Sequence, residues 1–138
     1  MSTAINDLRG MTDAMTAECK AHNIRDVDQL TDALATPAGR KAWADKLGVT
    51  TQEILKIANR ADLSRINGVG CAFSDLLEEA GVDTVKELAH RRPDNLHAKM
   101  EEVNAAKSIS ARAPTLAQCT DWVDQAKALG GKITYLSL

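Results

Sequence analysis

Leu63-Ser64-Arg65-Ile66-Asn67-Gly68-Val69-Gly70-Cys71-Ala72-Phe73-Ser74-Asp75-Leu76-Leu77 is the stretch on which the fold turns. It joins two helical segments through a Gly-apolar-Gly step. The glycines permit a tight turn with backbone angles that other residues avoid, and Val69 between them is expected to point inward and pin the two helices together. The second helix then starts with backbone N–H groups that lack intrahelical acceptors, at the positive end of its dipole. Such a start is a candidate seat for a phosphate.

The same pattern stands 58 residues earlier, where Leu8-Arg-Gly-Met-Thr-Asp-Ala-Met15 lies over Ile66-Asn-Gly-Val-Gly-Cys-Ala-Phe73. That offset pairs Gly10 with Gly68, Met15 with Phe73, Cys19 with Leu77, Ile24 with Val82, Val27 with Val85 and Leu30 with Leu88. After a two-residue gap, Pro37 falls on Pro93, Ala42 on Ala98 and Leu47 on Val103. The chain reads as one domain, 1–138, built from repeat units of about 5–62 and 63–113 and closed by a helix and tail over 114–138. Two units are too few for a solenoid, so the expected product is a compact pseudo-two-fold pair sharing one core.

Composition points to helices. Of 138 residues, 44% are hydrophobic and only 3% aromatic, while alanine occurs 22 times, so the apolar volume is mostly small and aliphatic and an all-α fold is expected. Thr12 or Asp13 can cap a helix over about 13–22, with Asn23 suited to a left-handed C-terminal turn, and Asp26 starts a short second helix. Thr36-Pro37 opens a helix near 37–47, and Thr50 with Glu53 forms a capping box for one near 51–60. A helix over about 71–80 stops at Gly81, Thr84 with Glu87 is a further capping box, and Pro93 opens the next helix. Pro114-Thr115 introduces a last helix on which Leu116, Cys119, Trp122, Val123, Ala126 and Leu129 recur at helical spacing. The alternating tail Ile133-Thr-Tyr-Leu-Ser-Leu138 cannot form a sheet alone, so it packs extended on the helices or pairs with another chain.

The hairpin at Leu63–Leu77 resembles a helix-hairpin-helix motif. With Gly81-Val-Asp-Thr-Val-Lys-Glu-Leu88, Arg91-Arg-Pro-Asp-Asn-Leu-His-Ala-Lys-Met100 and Asn59-Arg-Ala-Asp-Leu63, the chain is similar over nearly its whole length to the bacterial domain of unknown function 4332 family. The resemblance implies a tandem helix-hairpin-helix fold and brings no established reaction. Two departures bear on function. The first unit has Thr12 where the second has Gly70, which makes its turn the less suited to approach a phosphate, and the helix after Gly70 carries Asp75, Glu78 and Glu79, which would repel a phosphate they faced.

Charge limits the partners. Lys and Arg total 17 against 19 Asp and Glu, for a net charge of −2, so no bulk positive field attracts a polyanion and any such contact is local. The local candidates are the Gly68-Val69-Gly70 turn, Arg65 before it, and the Lys86, His90, Arg91, Arg92 cluster. Arg65 has a competing partner in Asp62, and the cluster lies at a helix C-terminus where cations are favoured anyway. Cys19, Cys71 and Cys119 contain no CxxC pair, and His22, His90 and His97 show no metal-ligand spacing, so neither metal nor cofactor is expected. Hydrolase, P-loop and dinucleotide fingerprints are absent, so no catalytic residue is assigned and an enzyme is not expected. The expected function is weak, sequence-independent binding of a DNA or RNA sugar-phosphate backbone. The alternative is a protein-interaction or scaffold module that uses residues 131–138 as its contact. No membrane span or signal-like segment is read, and a cytoplasmic address is expected.

Overall fold

Helices begin where short polar residues stand ahead of apolar periodicity. The computed structural model describes residues 4–134 of the protein. Among them are a 3-10 turn, Ile5–Asp7, and eight α-helices: α1 (Asp13–Ala21), α2 (Val27–Ala33), α3 (Pro37–Leu47), α4 (Thr51–Leu63), α5 (Cys71–Glu79), α6 (Val85–Leu88), α7 (Pro93–Lys107) and α8 (Leu116–Leu129). The fold is all-α. Thr12, Asp26, Thr36, Thr50, Thr84 and Thr115 each accept a hydrogen bond from a backbone N–H three residues on, which satisfies one donor left open at the helix start. Of these caps, only Thr115 completes a capping box, because Gln118 Oε1 also accepts from the Thr115 N–H at 2.8 Å. At Thr50 and Thr84 the hydroxyl half alone is present among the described residues, which corrects the boxes expected there with Glu53 and Glu87.

The elements recur at the spacing seen in the sequence. α1 and α5 start 58 residues apart, as do α2 and α6, and α3 and α7 start at Pro37 and Pro93. Left-handed backbone recurs with them: Gly10 (φ 98°) and Gly68 (φ 94°) in the two turns, Asn23 (φ 65°) and Gly81 (φ 94°) after α1 and α5, Gly48 (φ 70°) and Ser108 (φ 51°) after α3 and α7. Each closes a turn by the same bonds. The Met11 N–H donates to Leu8 O as the Val69 N–H does to Ile66 O, both at 3.1 Å.

The apolar side chains form two clusters rather than the single shared core expected from the repeat. One gathers Leu8, Cys19, Leu30, Leu34, Ile54, Ile57 and Ala61 around α1–α4. The other gathers Leu63, Val69, Leu76, Leu88, Met100, Cys119, Trp122 and Val123 around α5–α8. The physical reason is that each set of four helices can cover its own apolar faces. α4 gives Ile54, Ile57, Ala58 and Ala61 to the first core and its last residue, Leu63, to the second.

The described end of the tail, residues 132–134, packs on the first unit. Ile133 is buried in the first core, the Thr134 N–H donates to Ala35 O at 2.7 Å, and Lys132 pairs with Asp32 at 2.7 Å. Residues 135–138 of the expected contact lie outside the described residues. Among the described residues, no helix is long and apolar enough to cross a membrane.

Candidate functional site

The Gly68–Gly70 turn is held from behind by α8. Gln125 accepts from the Asn67 N–H at 2.8 Å and donates to Asn67 O at 3.0 Å, so one side chain grips both sides of that residue. At Gly68 an added Cβ would stand 3.1 Å from Trp122 Nε1 on a positive φ, which requires glycine there for packing as well as for backbone angle. Val69 is buried in the second core. Gly70 differs: its φ of −91° suits any residue, and an added Cβ would meet nothing within 4 Å.

Gly70 caps α5 without a side-chain bond, and no acceptor among the described residues takes the N–H groups of Gly68, Gly70, Cys71 or Ala72. Those donors sit at the positive end of a nine-residue helix. The Cys71 thiol beside them is pushed up by burial, with Asp75 and Asp7 adding to the effect and Arg60 opposing it, so it stays protonated at neutral pH. An oxyanion can be held there by backbone donors.

The expected charges are not gathered at this turn. Arg65 is spent internally: its Nη2 lies 2.6 Å from Asp62 Oδ1 and 3.1 Å from Gly130 O, and its side chain is 3% exposed. Its pairing with Asp62, the competing partner read in the sequence, is buried. Asp62 is fully buried and also accepts from the Val85 N–H at 2.8 Å, so the carboxylate joins α4 to the start of α6. Lys86 follows Val85 and is exposed, with Gly131 packed on its Cβ side. Arg91 donates to Gly81 O at 3.0 Å and to Glu87 at 2.7 Å, which places it past the C-terminal end of α5, about 14 Å along the helix from the turn. Arg92 pairs with Asp94 at 3.2 Å and stands ahead of α7, while His90, just before Arg91, is exposed. Arg91 and the glycine turn therefore occupy opposite ends of α5, and Lys86, beside Gly131, is not gathered with either.

The acids of α5 are engaged by cations, although Asp75 lies close enough to the turn to act on the Cys71 thiol. Arg60, on α4, reaches Asp75 Oδ1 with Nε at 3.2 Å and Glu78 Oε2 with Nη2 at 3.0 Å, and its Nη1 donates to Arg9 O at 3.1 Å. The Nε approach is an ion pair without hydrogen-bond geometry. Glu79 accepts from Lys107 at 2.6 Å, a hydrogen bond that holds its carboxyl below the usual range. Arg60 thus ties the first turn to the second unit and lines a cleft of about 340 Å³ together with Arg9, Lys56, Glu53 and Glu79.

The counterpart relation extends to the bracing helices. Ile57 and Arg60 on α4 stand 65 residues before Trp122 and Gln125 on α8, and each pair backs its own turn. Continuing the repeat alignment through the last helix would have exposed this. Asp62 had a fainter signal, a carboxylate among apolar neighbours on α4.

No curated protein and no solved structure matches the chain. From residue 9 to residue 129 the sequence matches the family described as domain of unknown function (DUF4332), and the chain belongs to that family.

Proposed function

We propose that this protein is a non-enzymatic, cytoplasmic binding module of tandem helix-hairpin-helix build that takes the sugar-phosphate backbone of nucleic acid at the Gly68–Gly70 turn. The observation that carries the reading is the set of uncapped N–H groups of Gly68, Gly70, Cys71 and Ala72, with open space at Gly70. The engagement of Asp75 and Glu78 by Arg60, and of Glu79 by Lys107, favours it further, because it lowers the repulsion those carboxylates would exert. The contact is narrower than the sequence suggested: Arg65 contributes to packing, and Arg91 and Arg92 lie beyond the far end of α5. With so few cations, binding is weak and indifferent to base sequence.

Fluorescence anisotropy with a labelled duplex tests this. Binding at micromolar protein in about 50 mM salt should fall steeply by about 200 mM, as counterion release requires. Gly70→Glu should abolish it with an unchanged circular dichroism spectrum, since the position tolerates a side chain and only the charge intrudes. Absence of binding at the lower salt would sink the reading.

A further inference from the structure

α8 carries a donor at the second turn that packing does not call for. Trp122 belongs to the second core and is 1% exposed, with its ring 5.1 Å from that of Phe73 in the first turn of α5. Its Nε1 is the atom that a Cβ on Gly68 would meet, at 3.1 Å. A buried indole N–H ordinarily finds an acceptor. This one has none among the described residues, and Nε1 is not sealed from solvent. Space alone does not explain it. At Gly10 the matching place is filled by Ile57, 3.2 Å from an added Cβ and without a polar side-chain atom.

We infer that the Trp122 indole N–H is a further donor of the Gly68–Gly70 seat and sets its choice of ligand, a non-bridging phosphate oxygen in preference to a sugar hydroxyl or a base edge. The inference rests on the phosphate reading of that turn. An indole N–H donates and cannot accept, and the same holds for the free N–H groups of Gly68, Gly70, Cys71 and Ala72. A non-bridging phosphate oxygen meets such a set with lone pairs alone. A hydroxyl or an amino group brings hydrogens of its own, which must be turned elsewhere. Packed on Phe73 within the core, the indole loses no rotamer freedom when the ligand arrives, so its hydrogen bond adds to affinity without an ordering cost. The first turn has no such donor, because Ile57 stands in its place. Trp122 thus separates the two turns by chemistry, where the glycines alone separate them only by backbone.

The test uses the full chain, whose two tryptophans give two indole signals in a proton–nitrogen correlation spectrum. Trp43 faces His22 and Lys46 of the first unit and serves as the internal control, and Trp43→Phe assigns the pair. Titration with an unlabelled short duplex in about 50 mM salt should move the Trp122 indole proton downfield and leave that of Trp43 in place. Trp122→Phe keeps a ring against Phe73 and removes the donor, so duplex affinity should fall about tenfold, as loss of one hydrogen bond to an anion implies. If that variant does not fold, the indole signal of the natural chain decides alone. Duplex binding with the Trp122 signal unmoved, or undiminished binding by a folded Trp122→Phe chain, overturns the inference and leaves the phosphate reading standing. No duplex binding by the natural chain overturns both.

Discussion

The two glycine turns share a backbone and differ in what closes them. At Gly10, Thr12 supplies the hydroxyl that caps α1, and Ile57 and Arg60 press from α4. At Gly68, glycine stands in the cap position, and Trp122 and Gln125 press from α8. Both bracing residues donate to the carbonyl just before the turn glycine, at Arg9 and Asn67. Arg60 has two further partners because the chain runs on from α4 into α5 and brings Asp75 and Glu78 within reach, whereas among the described residues α8 is followed by 130–134, which pack on the first unit. One scaffold thus carries a turn engaged in joining the units and a turn left open. The difference arises from position in the chain more than from the turns themselves.

The sharpest way to break this comparison is Asp62→Ala. Its counterpart in the first unit is Ala4, which pairs by backbone bridge with Asp26, whereas Asp62 does the joining with a buried carboxylate. Removing it strands Arg65, and urea unfolding should show a loss of about 3–5 kcal/mol. A loss below about 1 kcal/mol would mean that the pair is better solvated than its burial implies.

Next in size are the turn glycines. Gly10→Ala and Gly68→Ala should each cost about 1–2 kcal/mol, because both impose a left-handed backbone on a side chain that meets Ile57 or Trp122. Gly70→Ala should cost almost nothing. Equal losses at all three would show that Gly70 is held by something other than space for its backbone.

Alkaline pH distinguishes the units in another way. Burial pushes the Cys119 thiol from 9.0 up to about 11, with Glu101 adding to the shift, and its counterpart in the first unit is Ile54. The folded chain holds this proton where the unfolded chain releases it, so stability is full below pH 9 and falls as pH rises towards about 11. Thermal melts should drop by several degrees over that range, and Cys119→Val should remove part of the drop. Cys19 and Cys71, whose thiols are also raised by burial, contribute to the remainder. The smallest expected change is a gain: Ser108→Gly, matching Gly48 at the end of α3, relieves a left-handed serine and should add up to about 1 kcal/mol.

The helical frame was legible because its signals are local. Pro37 and Pro93 open helices, Asn23 takes the left-handed turn read for it, and five of the eight helices start within a residue of a Thr cap. The candidate site was legible only as a backbone feature. That Gly68–Gly70 forms a turn follows from residue type; that Arg91 belongs to the other end of α5, or that Arg65 is turned inward, depends on how α4, α6 and α8 pack. Arg40, which donates to Leu34 O, Ala35 O and Thr134 O, escaped notice, and Asp62 was read only as a partner of Arg65, since a charged residue normally reads as surface and only the assembled fold reveals the carbonyls and N–H groups that hold it.

Ile133 has a consequence for the order in which the protein is made. The first unit's helices are complete once Leu63 has been synthesised, yet one buried member of their core comes 70 residues later, across the whole second unit. At the usual pace of roughly 5–20 residues per second, the first core waits roughly 4–14 s for its last side chain. Until then the place that Ile133 fills in the first core stands open on every nascent chain.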